Sequence, residues 1–315
     1  MRSDVYVYPS YYSAFACKKG ECRSSCCMGW EIDIDNEALS RYNAEAGELG
    51  ARLRACISQD GTPHFRLTEE ERCPFLNGAG LCDLIIAGGE AMLCEICREH
   101  PRFYNPLPGR IECGLGLSCE AAAELILGTG ERVTLTRLDG VEANDAILCL
   151  RDEMIAILQD REQTIDARVK ALFSRLKVKR PSFDSDKWTD LLLSLETLDS
   201  AWTSLVERLR QYGRELDYAT FDAYMIGREA EYEQLLVYFV YRYMANAYDE
   251  SEVAEYAAFA AFSYELLRAL GARLLFENGK FDFEDQVMLA RLYSAEIEYS
   301  NENVEEILDF LRPTL

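Results

Sequence analysis

Thiols are the side chains whose type and spacing in this sequence point to chemistry. The chain holds twelve cysteines: Cys17, Cys22, Cys26, Cys27, Cys56, Cys73, Cys82, Cys94, Cys97, Cys113, Cys119 and Cys149. Eleven of them fall between residues 17 and 119, and none follows residue 149. The crowding marks a cysteine-rich N-terminal part and a second half almost without thiols.

Three chemistries compete for these residues. A disulfide scaffold requires an oxidising compartment, and residues 1–9 lack the apolar stretch of an export signal. Adjacent Cys26 and Cys27 are also poorly placed to bridge each other. Ordinary buried cysteine, behaving as a small hydrophobe, suits Cys56, Cys149 and Cys94. It does not suit four cysteines within the eleven residues of Cys17-x4-Cys22-x3-Cys26-Cys27. Metal or iron–sulfur ligation suits them best, because thiolates are soft, charged donors and short spacings present several sulfurs to one centre. Gly20 and Gly29 give that loop freedom to bend.

Later cysteines supply further donors. Cys73 opens Cys73-Pro74-Phe75-Leu76, Cys82 follows, and Cys97 precedes Pro101-Arg102. Cys119 stands just before Glu120-Ala-Ala-Ala-Glu-Leu-Ile-Leu, which predicts a helix, and a thiolate at a helix N-terminus is favoured by the unpaired N–H groups. The pattern is not a zinc ribbon, since Cys94-x2-Cys97 has no partner pair. Nor is it the radical Cys-x3-Cys-x2-Cys signature, because Gly29 occupies the third position. Only two histidines exist, His64 and His100. His100 lies near Cys97, yet each reads more simply as a loop histidine than as a ligand.

Taken in order, these residues resemble a family. Pro9-x-Tyr11, Phe15-x-Cys17-x4-Cys22-x3-Cys26-Cys27-x-Gly29-Trp30 and Ile32-x-Ile34-Asp35 are similar to the flagellin lysine-N-methylase family. So are Cys73-Pro74-Phe75-Leu76, Gly80-Leu81-Cys82, Cys97-x3-Pro101-Arg102 and Leu117-Ser118-Cys119. The likeness is strong over residues 9–127 and weaker beyond, where Tyr232 to Tyr243 resembles the family's C-terminal half. Some elements also occur in small putative zinc- or iron-chelating domains, but the longer spacing before Cys26-Cys27 favours the methylase branch.

The resemblance implies methyl transfer from S-adenosylmethionine to the ε-amine of flagellin lysines, in the cytoplasm. It also implies an iron–sulfur cluster, a four-iron one foremost, with zinc as the alternative. The matching positions are Cys17, Cys22, Cys26, Cys27, Cys73, Cys82, Cys97 and Cys119. Eight thiolates exceed one four-coordinate site, so they serve two sites or some are structural. The residues alone do not show methyl transfer. Gly114-Leu-Gly116 and Gly128-Thr-Gly130 lack the third glycine of a dinucleotide turn and read as turns. No catalytic base and no methyl-donor pocket is legible. A non-catalytic metal-binding or redox-sensing protein is the competing class, and a zinc-stabilised interaction module a third.

The elements that must position these thiols predict a mostly α protein, with an irregular, metal-ligated cysteine domain over residues 1–140 packed on a helical bundle over 141–315. A 49% apolar, 28% charged composition is that of a folded chain. A net charge of −22 argues against nucleic acid and against anionic membrane surfaces. The most apolar run, Leu235 to Tyr241, is too short to span a bilayer. Residues 1–16 read as extended, with Val5 to Tyr8 ending at Pro9; Glu31 to Asp35 alternates as a short strand or an extended ligand-side segment, and Arg132 to Thr136 predicts a short strand ending at Asp139-Gly140. Asp33 and Asp35 read as solvated. Asn36 to Ile57 predicts a helix interrupted near Gly47 and Gly50, and Glu90 to Arg98 another. Thr68-x-x-Glu71 resembles a capping box, and Pro101, Pro106 and Pro108 mark a loop. Arg151 to Leu176 predicts a helix that breaks at Lys177 to Ser182. Trp188, Leu191, Leu195, Leu198, Trp202, Leu205 and Leu209 predict one buried seam on a single helix. Tyr232 to Met244 predicts a central buried helix, and Ser251 to Phe276 a helix with a close-packing alanine stripe. Asn303 with Glu306 predicts the cap of the last one.

Overall fold

The computed structural model describes residues 5–137, 145–182, 184–213 and 216–315. The expected strand end at Asp139-Gly140 lies outside the described residues. The protein is mostly helical, and no helix among the described residues is long and apolar enough to cross a membrane. Seven strands occur among the described residues: β1 (Val5–Pro9), β2 (Ile32–Asp33), β3 (Ile57–Ser58), β4 (His64–Phe65), β5 (Arg102–Leu107), β6 (Arg110–Leu115) and β7 (Leu135–Arg137). The chain divides into two compact units. Of the described residues, those within 5–15, 104–118 and 122–315 form a helical unit, and those within 16–103 and 119–121 a cysteine unit. The single boundary expected after residue 140 is not where these units part.

In the helical unit the sheet order is β5-β6-β1-β7. β1 runs parallel to β6, with Val5 opposite Arg110, and antiparallel to β7, with Val7 opposite Arg137. Pro106 therefore lies in a strand rather than in the expected loop. It is tolerated because β5 is the sheet edge, where a missing N–H leaves no ladder bond unmade. Gly114 likewise sits within β6 and not in a turn.

Helix Glu229–Met244 is buried on almost every side, as its apolar composition requires. It packs against Glu250–Asn278 and Ala146–Leu158. Ala254, Ala257, Ala258, Ala260 and Ala261 of the long helix are all buried, which permits close backbone approach. Gly271 serves the same end. A Cβ there would stand 2.9 Å from Phe221 Cζ and 3.1 Å from Phe281 Cζ. Gly271→Ala is expected to cost about 1–3 kcal/mol of stability by overpacking, read from denaturant midpoints.

Several expected helices are interrupted. Arg151 to Leu176 becomes Ala146–Leu158 and Ile165–Leu176, the second capped by Thr164. The seam from Trp188 to Leu209 falls on two helices, Ser185–Ser194 and Ser200–Tyr212. Asp199 caps the second by accepting from Ala201 N at 2.8 Å. Glu296 accepts from Leu198 N and Asp199 N, so the break is fixed by hydrogen bonds. Leu198 is consequently exposed while Trp188, Trp202, Leu205 and Leu209 remain buried. Ser300 caps the last helix, Asn301–Leu311, in place of Asn303. Buried Asn303 instead bridges the carbonyls of Glu196 and Glu296 at 2.9 and 2.8 Å.

The cysteine unit has a small core of Ile32, Ile34, Tyr42, Leu53, Phe65, Phe75 and Leu84 with Cys73 and Cys94. β2 and β3 flank β4, with Ile32 and Ile57 both opposite Phe65. The expected helix over 36–57 is two, Asn36–Ala44 and Gly47–Cys56; Gly47 (φ 69°) begins the second and Gly50 lies inside it. The span from Glu90 to Arg98 breaks at Leu93–Cys94 into a single 3-10 turn and helix Glu95–Glu99. Thr68 closes a turn and no helix follows: Thr68 Oγ1 accepts from Glu70 N and Arg72 N, and Glu71 takes a left-handed φ of 56°.

Candidate metal centre

Every cysteine from Cys17 to Cys97, together with Cys119, belongs to the cysteine unit. The loop carrying Cys17, Cys22, Cys26 and Cys27 has little regular structure to fix it, apart from one 3-10 turn at Lys19–Glu21. A buried carboxylate fixes it instead. Glu120, 1% exposed, accepts from Lys18 Nζ at 3.0 Å, Arg23 N at 2.8 Å, Arg23 Nε at 3.3 Å and Ser24 N at 3.3 Å. Glu120 opens helix Glu120–Leu127, as expected from the sequence, so Cys119 stands at that helix's start. The same residue thus ties the loop of Cys17 to Cys27 to the position of Cys119.

Gly20 acts by close approach rather than by bending. A Cβ on it would lie 2.8 Å from Ala79 O, so the loop rests backbone to backbone on the turn before Cys82. Asn77 shapes that turn by accepting from Ala79 N and Leu81 N at 2.9 and 3.1 Å. Gly29, with φ 82°, supplies the left-handed bend. Beyond it the segments around residues 27–29 and 71–73 pair: Cys73 N donates to Cys27 O at 2.8 Å and Gly29 N to Glu71 O at 2.9 Å.

The third segment is hung from helix Asn36–Ala44. Tyr42 Oη donates to Met92 O at 2.7 Å and Arg41 Nη2 to Leu93 O at 2.9 Å. Asp35 caps that helix through Ala38 N at 2.8 Å and also accepts Glu95 N at 2.8 Å, which sets Cys94 and Cys97. Asp35 is therefore a positioning residue rather than the solvated one the sequence suggested. Burial alone would raise its pKa, but the N–H groups of Ala38 and Glu95 outweigh that and hold it below the ordinary aspartate range. A depressed carboxylate stabilises the fold above its unfolded pKa and loses that contribution as pH falls through its folded pKa. Asp35→Ala is expected to cost about 1 kcal/mol near neutrality, as for a lost N-cap, with the deficit shrinking in acid; urea melts at both pH values check it.

The thiols perturb one another's ionisation. Burial first raises the Cys22 pKa to about 11, and the charges of Cys119, Glu120 and Cys17 add to it. Cys26 is raised by its hydrogen bond with Cys27 and by burial, and also feels Cys119 and Cys17. Cys27 is pulled down to about 7 by that same bond. Burial also raises Cys73 to about 12, with Cys27, Cys82 and Cys94 adding to it. Burial raises Cys82, and Cys27 is again among the neighbours. Cys97 is raised by its hydrogen bond with Cys94 and by burial, then by Cys94, Cys27 and Cys73. Cys94, which the sequence left as an ordinary buried cysteine, is brought among the expected ligands.

Burial and thiol hydrogen bonds lead these shifts, and repulsion between neighbouring thiolates adds to them. Packed thiolates repel, so they cannot all ionise together unless a cation neutralises them. That donor chemistry fits a zinc ion or an iron–sulfur cluster. Among the described residues no three His, Cys, Asp or Glu side chains already stand as a finished metal cage. The imidazole of His100 is buried with its Nε2 lacking a hydrogen-bond partner, and burial lowers its pKa to about 4. It packs edge-on against Trp30 at 5.7 Å between ring centroids. Cys56 is half-buried against the core, and Cys113 and Cys149 belong to the helical unit.

The helical unit holds one polar constellation that the sequence did not reveal. Buried Glu298 accepts from Tyr238 Oη at 2.9 Å and Tyr243 Oη at 3.0 Å, and pairs with Arg242 Nε at 3.4 Å. It ends a π-helical turn at Ser294–Glu298. Such turns widen a helix by one residue and often mark functional positions. No sequence signal marks it, since Glu298 stands beside Glu296 in a polar, carboxylate-rich segment.

Comparison with known proteins adds to this geometry. Residues 175–313 match the family model described as the FliB lysine N-methylase C-terminal domain. Over 150 residues the chain is 24% identical to a Salmonella typhimurium protein named Lysine-N-methylase, covering 43% of this chain and 36% of that one. A protein of the same name from Salmonella choleraesuis matches at the same identity and coverage. A Salmonella muenchen protein named Flagellar biosynthetic protein FliU is 23% identical over 146 residues, covering 43% of this chain and 84% of that one. The match to the two methylases thus spans about a third of their length. No solved structure matches the chain significantly.

Proposed function

We propose that this chain, whose resemblance to the flagellin lysine N-methylase family those matches bear out, is a protein-lysine N-methyltransferase that methylates flagellin in the cytoplasm. The observation that carries the reading is the match of residues 175–313 to a lysine N-methylase domain. The donor is S-adenosylmethionine. The lysine ε-amine must first lose its proton. Its lone pair then forms a bond to the methyl carbon while the carbon–sulfur bond breaks, its electron pair staying on sulfur, and S-adenosylhomocysteine leaves.

Cys17, Cys22, Cys26, Cys27, Cys73, Cys82, Cys97 and Cys119 would hold a four-iron cluster or zinc. An iron–sulfur cluster would supply electron transfer, and zinc a structural charge alone. The chain's own contribution is to hold these thiolates through Glu120, Asp35 and the pairing of Cys73 with Cys27. The net charge of −22 favours approach of a lysine-bearing partner.

The test is a methylation assay with protein purified without oxygen, labelled S-adenosylmethionine and flagellin. The reading expects label on lysine, located by peptide mass. Metal-loaded protein that neither binds the donor nor labels flagellin would instead favour the metal-binding or redox-sensing class.

A further inference from the structure

We propose that the cysteines hold two separate metal centres, an outer one on Cys17, Cys22, Cys26 and Cys119, and an inner one with Cys94 among its ligands beside Cys27, Cys73, Cys82 and Cys97. This rests on the reading of the cysteines as metal ligands and is independent of methyl transfer.

Three observations separate the sets. The first is burial. Cys73 and Cys94 are 6% and 1% exposed and lie in the core with Ile32, Ile34 and Phe75, and Cys27, Cys82 and Cys97 pack against that core. Cys17 and Cys26 are exposed, and Cys22 and Cys119 are half-buried. The second is the scaffold. The outer loop is held by Glu120, which reaches Lys18, Arg23 and Ser24. The inner set is held by the bond from Cys73 N to Cys27 O, the pairing of Leu76 with Cys82, and the Asp35 contact to Glu95 N. The third is number. Nine sulfurs exceed what one four-coordinate ion or one four-iron cluster takes from protein.

Adjacent Cys26 and Cys27 are where the two sets meet. Cys27 packs against the core and its carbonyl accepts from Cys73 N, while Cys26 is exposed, its carbonyl accepting Trp30 Nε1 at 2.6 Å. Cys94 begins helix Glu95–Glu99, and Cys97 follows within its single turn, so one short element offers two sulfurs to one centre. The thiol hydrogen bond between Cys26 and Cys27 crosses from one set to the other, whereas that between Cys94 and Cys97 lies within the inner set.

The experiment counts metal per folded chain, by mass spectrometry, in full-length protein purified without oxygen. Its variants are Cys94→Ser, the double Cys22→Ser/Cys119→Ser, and Cys56→Ser as a neighbour in the core outside both sets. Cys94→Ser and the double variant are each expected to lose about half of the metal, and Cys56→Ser none. Full metal in Cys94→Ser overturns the inner assignment, and complete loss in the double variant overturns the separation. Should Cys94→Ser lose its far-ultraviolet helix signal, the double variant decides alone: about half retained supports two centres, and all or none retained overturns them. Wild-type protein without metal overturns the ligand reading itself, whatever the methylation assay gives.

Discussion

Glu112→Ala is expected to lower the unfolding free energy of the helical unit by about 3–5 kcal/mol, the usual cost of stranding a buried charge. Glu112 is fully buried in β6, where an unpaired carboxylate would be untenable. It is paired on both sides. Arg151 Nη1, itself fully buried, donates to one oxygen and Arg110 Nη2 to the other. Arg151 lies over the Tyr241 ring at 5.3 Å, and Tyr241 Oη donates to Val7 O and Cys113 O at 3.1 and 2.9 Å. Through Arg151 and Tyr241 the carboxylate is thus linked to β1 and to two helices. Truncation leaves Arg151 with Asp152 as its remaining partner at 2.8 Å, and that group is partly exposed. Glu112→Gln preserves shape and one acceptor, so it should cost less than half as much. Urea unfolding of both variants checks the order, and equal costs would place the effect in the charge rather than in shape or packing. A small effect in both would mean that the ion pair is replaceable, as some buried pairs are.

What the sequence disclosed and what it hid follow from range of interaction. The helix at Glu229–Met244 was legible because its apolar residues need no partner to declare burial. The alanine stripe and the extended stretch that forms the strand Val5–Pro9 were legible for the same local reason. The break at Leu195–Asp199 was not, because it depends on Glu296, nearly a hundred residues later. Pro106 misled, since only the sheet order shows that β5 is an edge. In the cysteine unit spacing identified the candidate ligands but not their grouping. Cys94 looked like a small hydrophobe because its link to the others runs through Asp35 and Tyr42 on a different helix. Glu120 looked like the first residue of a helix and nothing more.

Glu120→Ala is expected to remove the outer metal and to destabilise the cysteine unit by about 2–4 kcal/mol, the loss of several charge-assisted hydrogen bonds. The carboxylate is 1% exposed, whereas Lys18 and Arg23 are 28% and 42% exposed. Once freed, both cations can turn to water, so the penalty falls mainly on the backbone. Arg23 N and Ser24 N lose their acceptor, and with it the loop loses its fixed path between Cys22 and Cys26. A metal bound by four sulfurs needs all four in place at once, so a loosened loop lowers affinity through the ordering entropy that binding must then overcome. Glu120→Gln separates the two contributions. Its carbonyl oxygen can still accept from Arg23 N, but it carries no charge for Lys18. Retained metal with reduced stability in Glu120→Gln would assign the loop's path to the backbone bonds. Loss of metal equal to that of Glu120→Ala would assign it to the ion pairs. Unchanged metal in both variants would show that the loop is held by the metal and not by the carboxylate.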